Sequence, residues 1–131
     1  MDKLLTIIVP TYNAAAYLDK GLSSFAIKDE KLFARLEVLI INDGSTDDSV
    51  KIAQKYVERY PQVYRIINKE NGGHGSAVNT GIANATGLYF KVLDSDDWFD
   101  KTAMLKLIKF LRQSVVESMS LDMIIANYVY E

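Results

Sequence analysis

Three carboxylates lie within four residues where an apolar segment ends, in the stretch Asp94-Ser95-Asp96-Asp97. Clustered negative charge is costly unless a positive group lies beside it. Hard oxygen ligands suit Mg²⁺ or Mn²⁺, and Mg²⁺ is typically held by one or two carboxylates together with substrate phosphates. The stretch therefore predicts a site for a metal and a phosphorylated ligand. A second interpretation is that Ser95 or Asp97 caps the helix expected to start near Lys101, which leaves the other acids unexplained.

A second acidic turn follows the mostly apolar segment Glu37–Ile41, in Asn42-Asp43-Gly44-Ser45. The Asp43 carboxylate can accept hydrogen bonds from a base or a ribose, and the small residue Gly44 lets a flat ligand approach the backbone. The same residues also form an ordinary strand-to-helix turn, and taken alone the pattern favours that interpretation.

Two further loops contain candidate ligand contacts. In Glu70-Asn71-Gly72-Gly73-His74-Gly75-Ser76, the backbone amides of Gly72 and Gly73 are candidates for binding an anion, although neither the P-loop nor the dinucleotide fingerprint is present. His74 is the only histidine, and a lone loop histidine is more often solvated than catalytic. In Pro10-Thr11-Tyr12-Asn13, proline ends a strand and Asn13 can cap the next helix. The functional alternative makes Thr11 and Tyr12 ligand contacts. The aromatic pair Trp98-Phe99 either lines a sugar-binding surface or packs beneath the acidic residues.

Alternating segments predict the elements that hold these loops. Strands are expected at residues 4–9, 37–41, 63–68, 88–93 and 122–129, and helices at 14–25, 47–60, 75–85 and 101–118, with an exposed loop at 27–31. Nearly continuous apolar strands are typical of a parallel sheet buried on both faces. Right-handed crossovers then give an α/β fold, a three-layer α/β/α sandwich in which ligands bind beyond the carboxyl ends of the strands.

Composition limits the alternatives. The chain has 131 residues, which suffices for one domain, so residues 1–131 are predicted to be a single domain. The net charge of -2 argues against nucleic acid or an anionic membrane as a default partner. The absence of cysteine excludes a disulfide scaffold and a thiolate metal site. No apolar segment approaches the roughly 20 residues of a membrane helix, and residues 1–10 are interpreted as a strand rather than a signal peptide.

Taken together, the four loops resemble the motifs of the family 2 glycosyltransferases, which have the Rossmann-like GT-A fold. Val9-Pro10-Thr11-Tyr12-Asn13 is similar to the opening motif of that family. Asn42-Asp43-Gly44-Ser45-Thr46-Asp47 is similar to its Asp-Asp-Gly-Ser-x-Asp element, with Asn42 in place of the first acid. Residues 71–81 are similar to its Asn-x-Gly and Ala-x-Asn-x-Gly elements, and Asp94-Ser95-Asp96-Asp97 to its metal-binding DXD element.

The resemblance implies roles for these residues. Asp43 would contact the base, Asp94 would face the ribose and diphosphate, and Asp96 would ligate Mn²⁺ or Mg²⁺ with Asp94 as a second metal ligand. Asn79 would brace its loop through backbone hydrogen bonds. The nucleotide-binding set comprises Pro10, Thr11, Tyr12, Asn13, Asp43, Gly72, Gly73, Asp94 and Ser95.

The resemblance also implies an activity. The parent enzyme would transfer a sugar from a nucleotide-diphosphate donor, with a UDP-sugar favoured, to a saccharide or other hydroxyl acceptor with inversion, in cell-envelope or extracellular polysaccharide synthesis. The family's catalytic base lies past the equivalent of Glu131, so we expect this chain to be the N-terminal part of a longer protein. A cytoplasmic location is expected, with membrane association only through other segments. Asn42 removes a charge near the base site, and His74 is a further departure within reach of the diphosphate or sugar.

Three rival functions are weighed against this one. A receiver-type signalling domain has a similar length, but it would carry paired acids after the first strand, where Pro10-Thr11-Tyr12-Asn13 lies. A nucleotidyltransferase would need a basic glycine-rich first loop, and that loop has no Lys or Arg. A non-catalytic nucleotide-binding domain would retain the acidic loop and lack turnover, and it stays open because no residue matches the catalytic base.

Overall fold

A computed structural model describes residues 3–98 and 100–116 of the chain. Strands and helices alternate along it, apart from one additional short helix. The elements are β1 (Leu5–Thr11), α1 (Leu18–Ser23), α2 (Glu30–Phe33), β2 (Leu36–Asp43), α3 (Ser49–Arg59), β3 (Tyr64–Lys69), α4 (His74–Asn84), β4 (Tyr89–Val92) and α5 (Lys101–Val116). Within these residues, no helix has the length and apolarity needed to cross a bilayer.

The four described strands form one parallel sheet in the order β3-β2-β1-β4. Every residue of β1 and β2 is buried, because helices cover both faces of the sheet. One face packs against α1, α3 and α5, with Leu22, Ala53 and Ile108 in the core. The opposite face packs against α4 through Ile8 and Ala77. The predicted three-layer α/β/α sandwich is confirmed, and the loops after all four strands lie at one edge of the sheet.

Two elements differ from expectation by more than a shift of one or two residues. Helix α1 begins at Leu18 rather than at residue 14, because residues 14–17 form a turn in which the N–H groups of Tyr17 and Leu18 both donate to the Ala14 carbonyl at 2.9 Å. Helix α2 occupies part of the predicted exposed loop and is capped by Asp29, whose carboxylate accepts from two backbone amides at 3.1 Å while Leu32 is buried. The predicted fifth strand at residues 122–129 lies outside the described residues.

A buried acid joins three parts of the fold near the amino ends of the strands. Glu37 is 7% exposed, and its Oε1 accepts from the Thr6 hydroxyl at 2.8 Å and from the Thr86 N–H at 2.9 Å. The Thr6 oxygen accepts in turn from the Gly87 N–H at 2.9 Å. These bonds link β1, β2 and the connection from α4 to β4, at the end of the sheet opposite the candidate site.

Candidate functional site

A cavity of about 590 Å³ lies at the carboxyl edge of the sheet. Its walls come from the loops after all four strands, as the parallel topology requires. It brings together every predicted nucleotide and metal contact except Gly72, namely Pro10, Thr11, Tyr12, Asn13, Asp43, Gly73, Asp94, Ser95 and Asp96. Sequence reasoning missed Ala14, Tyr17 and Ala77, which also line it and lie one helical turn or less from predicted residues.

The acidic loop presents three carboxylates to one point. An oxygen from each of Asp94, Asp96 and Asp97 lies within 4.8 Å of the others, and the first two side chains are exposed. Burial, and then the charges of Asp96 and Asp94, raise the pKa of Asp97. An all-oxygen donor set of this kind fits Mg²⁺ or Mn²⁺ better than zinc or copper, so these residues could hold such an ion.

Helix α5, which follows the acidic loop, is capped by Asp100. The Asp100 carboxylate accepts from the Ala103 N–H at 3.1 Å, and the Asp100 carbonyl accepts from the Met104 N–H at 2.9 Å. In the described part of the chain, Asp100 is therefore the cap of α5, in place of the predicted Ser95 or Asp97. The three acids of the loop are left without that local explanation.

Asp43, the last residue of β2, organises the glycine-rich loop. Its Oδ1 accepts from Lys69 Nζ at 2.7 Å and from the Gly72 N–H at 2.9 Å, and its Oδ2 accepts from the Gly73 N–H at 2.9 Å. Gly73 has a φ of 95°, a conformation that favours glycine. The hydrogen bond from Lys69, together with those from the two amides, holds the pKa of Asp43 below its usual range despite burial. Both amides that were predicted to bind an anion of the ligand therefore donate to Asp43 instead. Gly73 still lines the cavity, whereas Gly72 lies outside its wall.

Asn42, which replaces an acid of the family motif, has a structural role. Its Nδ2 donates to Asn68 Oδ1 at 2.9 Å, and its Oδ1 accepts from the Ser45 N–H at 3.1 Å. The residue is 8% exposed. Asn42 thus fastens the end of β2 to β3 and to its own turn, and it does not line the cavity.

Asn13 joins the first loop to the second rather than capping α1. It has a φ of 49°, its N–H donates to Ser45 Oγ at 3.0 Å, and its Oδ1 accepts from the Thr46 N–H at 2.7 Å. In the opposite direction, the Asp47 carboxylate of the second loop accepts from the Ala15 N–H, beyond the first loop, at 3.0 Å. A hydrogen bond from Ser49, followed by backbone hydrogen bonds, lowers the pKa of Asp47. Side chains therefore connect the two loops in both directions.

The remaining predicted contacts differ in exposure. The Thr11 hydroxyl is buried and donates to the Val9 carbonyl at 3.0 Å, whereas the rings of Tyr12 and Tyr17 are exposed beside the cavity. Trp98 is half-buried outside the cavity wall, with the Lys20 ammonium 3.6 Å from its ring centre, which favours the packing interpretation. Phe99 lies outside the described residues. Asn79 is exposed and makes no side-chain hydrogen bond to a described residue, so the predicted brace is not seen.

The single histidine reaches the acidic loop. His74 begins α4, and its Nε2 lies 2.8 Å from Asp94 Oδ1. Both side chains are more than half exposed and both line the cavity. This contact connects the glycine-rich loop to the loop after β4.

Comparison with known proteins identifies the class. The family model for glycosyl transferase family 2 matches residues 6–126. The chain therefore belongs to the family 2 glycosyltransferases, and its α/β sheet is the GT-A fold of that family.

Individual relatives agree with this assignment. The chain is 39% identical over 117 residues to the glycosyltransferase MG025 homolog of Mycoplasma pneumoniae, covering 88% of this chain and 38% of that protein. A crystal structure of S. aureus TarS 1-349 in complex with UDP-GlcNAc is similar with a TM-score of 0.72 at 30% identity, covering 84% of this chain and 31% of that one. The mannosyltransferase PcManGT from Pyrobaculum calidifontis, in complex with GDP-Man and Mn²⁺, has a TM-score of 0.70 at 25% identity over 85% and 33% of the two chains. The chain thus spans about a third of the length of these relatives.

Proposed function

We propose that this glycosyltransferase takes its sugar from a UDP-sugar and transfers it, with inversion and with help from Mn²⁺ or Mg²⁺, to a hydroxyl group of a saccharide or other acceptor. The observation that carries the proposal is a single cavity wall that contains both the carboxylate of Asp43 and the acidic loop at Asp94 and Asp96. The first suits a base and the second suits a metal-bound diphosphate.

Hydrogen-bonding capacity at Asp43 favours uracil. A carboxylate has about four acceptor positions, and three are occupied by Lys69, Gly72 and Gly73, two of them on Oδ1. One position on Oδ2 is left for a ligand. Uracil presents one N–H between two carbonyl groups, whereas guanine presents an N–H beside an amino group. The single remaining position matches the one N–H of uracil, whereas it would accept from only one of the two neighbouring donors of guanine.

The acidic loop supports metal assistance. A bound divalent ion acts as a Lewis acid on the departing diphosphate. Asp94 and Asp96 would hold it, with Asp97 as a third oxygen donor. Thr11, Tyr12 and Asn13 would lie beside the nucleotide, with Pro10, Gly73 and Ser95 completing the wall around it.

The acceptor side of the reaction rests on the family alone. An inverting displacement needs a base that removes the proton of the acceptor hydroxyl, and no described residue is assigned that role. Synthesis of cell-envelope or extracellular polysaccharide at a cytoplasmic site stays a prediction.

Calorimetric titration of UDP and GDP tests the donor site. With Mn²⁺ present we expect UDP to bind more tightly than GDP, and we expect a chelator or Asp96→Ala to abolish binding. Asp48→Ala is the matched control, because this exposed acid makes no side-chain capping bond and lies outside the cavity wall. Equal or tighter binding of GDP would refute the choice of base, and unchanged binding by Asp96→Ala would refute the metal site.

A further inference from the structure

His74 makes a hydrogen bond to the side chain of Asp94. Its Nε2 lies 2.8 Å from Asp94 Oδ1, and among the described residues no other group donates to the Asp94 side chain. An ionised carboxylate only accepts hydrogen bonds, so the proton of this bond belongs to Nε2. The family motifs do not supply this contact, because His74 is a departure from them.

The two residues come from elements that the chain brings together only in the folded state. His74 starts α4 after the glycine-rich loop, whereas Asp94 follows β4. With Oδ1 engaged by the imidazole, Asp94 Oδ2 is left to face a ligand. Hydrogen bonds from a neighbouring group to a metal-ligating carboxylate fix its orientation, and their loss typically weakens metal binding 10–100-fold.

We propose that His74 is a positioning residue for Asp94, which holds one carboxylate oxygen so that the other meets the metal or the diphosphate-ribose of the donor. This inference rests on the proposed function, because it needs a metal-dependent nucleotide at Asp94. It assigns to the single histidine a role in binding the donor rather than in transferring a proton.

The exposure of the pair separates this role from a role in folding. The side chains are 64% and 51% exposed, and exposed pairs of this kind contribute little to the stability of a fold. Removal of the imidazole is therefore expected to leave the unfolding midpoint nearly unchanged while it weakens binding.

Binding of Mn²⁺ at saturating UDP, followed through the electron paramagnetic resonance signal of the free ion, tests the role. We expect His74→Ala to weaken Mn²⁺ binding about tenfold. His74→Gln should restore most of it, because the glutamine amide carries a donor the same number of bonds from the backbone as Nε2. Asn84→Ala is the matched control on α4, since its side chain bonds only within its own helix.

A double-mutant cycle makes the test specific to the pair. In an Asp94→Ala background, His74→Ala should change Mn²⁺ binding less than twofold, because the side chain that accepts the hydrogen bond is already gone. If the wild-type protein binds Mn²⁺ and His74→Ala binds it equally tightly, the positioning role alone would be overturned. The role would also be overturned if His74→Ala and His74→Gln lost the same Mn²⁺ affinity. The same holds if His74→Ala weakened Mn²⁺ binding as much in the absence of the Asp94 side chain as in its presence. Failure of the wild-type protein to bind Mn²⁺ with UDP would overturn the donor-site proposal and this inference together.

Discussion

Asp43 and Lys69 are register partners at the last positions of β2 and β3, and their side chains form an ion pair with 2.7 Å between Oδ1 and Nζ. Sheet register thus places the ammonium where the glycine-rich loop begins. The same carboxylate binds the amides of Gly72 and Gly73. One strand pairing therefore shapes the loop that forms part of the cavity wall.

We expect Lys69→Met to destabilise the protein by about 1–3 kcal/mol, since it leaves a buried carboxylate short of a donor. Asp43 has a pKa below its ordinary value of 3.8, with the Lys69 hydrogen bond as the main cause. A lowered native pKa adds stability that is fully present above the unfolded pKa and is lost as the pH falls through the native pKa. The stability difference between wild type and variant should therefore be full above about pH 4 and shrink at lower pH.

Urea unfolding across the acid range measures that difference. Lys55→Met is the control, because Lys55 is exposed on α3 and forms no ion pair with a described residue. A difference that stayed constant down to pH 2 would mean that Lys69 does not act through the charge of Asp43.

Substitutions at Asn13 separate backbone conformation from side-chain contacts. Asn13→Ala should cost about 2 kcal/mol, because a positive φ costs an L-residue about 1 kcal/mol and the lost hydrogen bonds cost about as much. Asn13→Gly tolerates the positive φ but lacks the acceptor, so it should cost about half of that. Asn13→Asp tolerates the positive φ and keeps the acceptor, so it should cost least. Thermal unfolding of the three variants gives the order, and an alanine variant as stable as the glycine variant would contradict it.

Two glycines in helices should respond oppositely to an added methyl group. A Cβ at Gly21 of α1 would lie 2.6 Å from the Asp97 carbonyl oxygen, whereas a Cβ at Gly75 of α4 meets nothing within 4 Å. Gly21→Ala should therefore destabilise the fold by about 1–3 kcal/mol through overpacking. Gly75→Ala should stabilise it by about 0.4–1 kcal/mol, because alanine has less conformational freedom to lose from the unfolded chain. Chemical unfolding of both variants gives their midpoints. Midpoints that shifted in the same direction would contradict the prediction.

Replacement of Glu37 tests the buried connection at the far end of the sheet. Glu37→Leu leaves the Thr6 hydroxyl and the Thr86 amide without their acceptor, so we expect a loss of about 1–3 kcal/mol. Glu37→Gln retains a carbonyl oxygen there and should lose about 1 kcal/mol or less. The denaturant midpoints of the two variants provide the comparison, and equal losses would show that charge, not acceptor geometry, matters at this position.

Much of the fold was predictable because it follows from apolar patterning. The residues of β1 and β2 are buried on both faces, and continuous apolar segments indicate that environment directly. The gathering of the four loops at one edge then follows from parallel topology alone. For the same reason, nearly every predicted contact lines one cavity.

Side-chain partnerships were not predictable, because they depend on register and rotamers. The sequence favoured Asn13 as a helix cap, yet its positive φ turns the side chain toward the next loop. It also favoured Ser95 or Asp97 as the cap of α5, whereas Asp100 lies at the right distance. The approach of His74 to Asp94 joins residues 20 positions apart, and no local pattern encodes it.

The two-way connection between the first two loops has a consequence for motion. Asn13 holds the amide of Thr46, and Asp47 holds the amide of Ala15, so neither loop can open without breaking bonds to the other. Amide hydrogens in both segments should therefore exchange with solvent through one shared opening event. A nucleotide that touches only the first loop would slow exchange in the second as well, which makes this edge of the sheet respond to its ligand as a single cooperative unit.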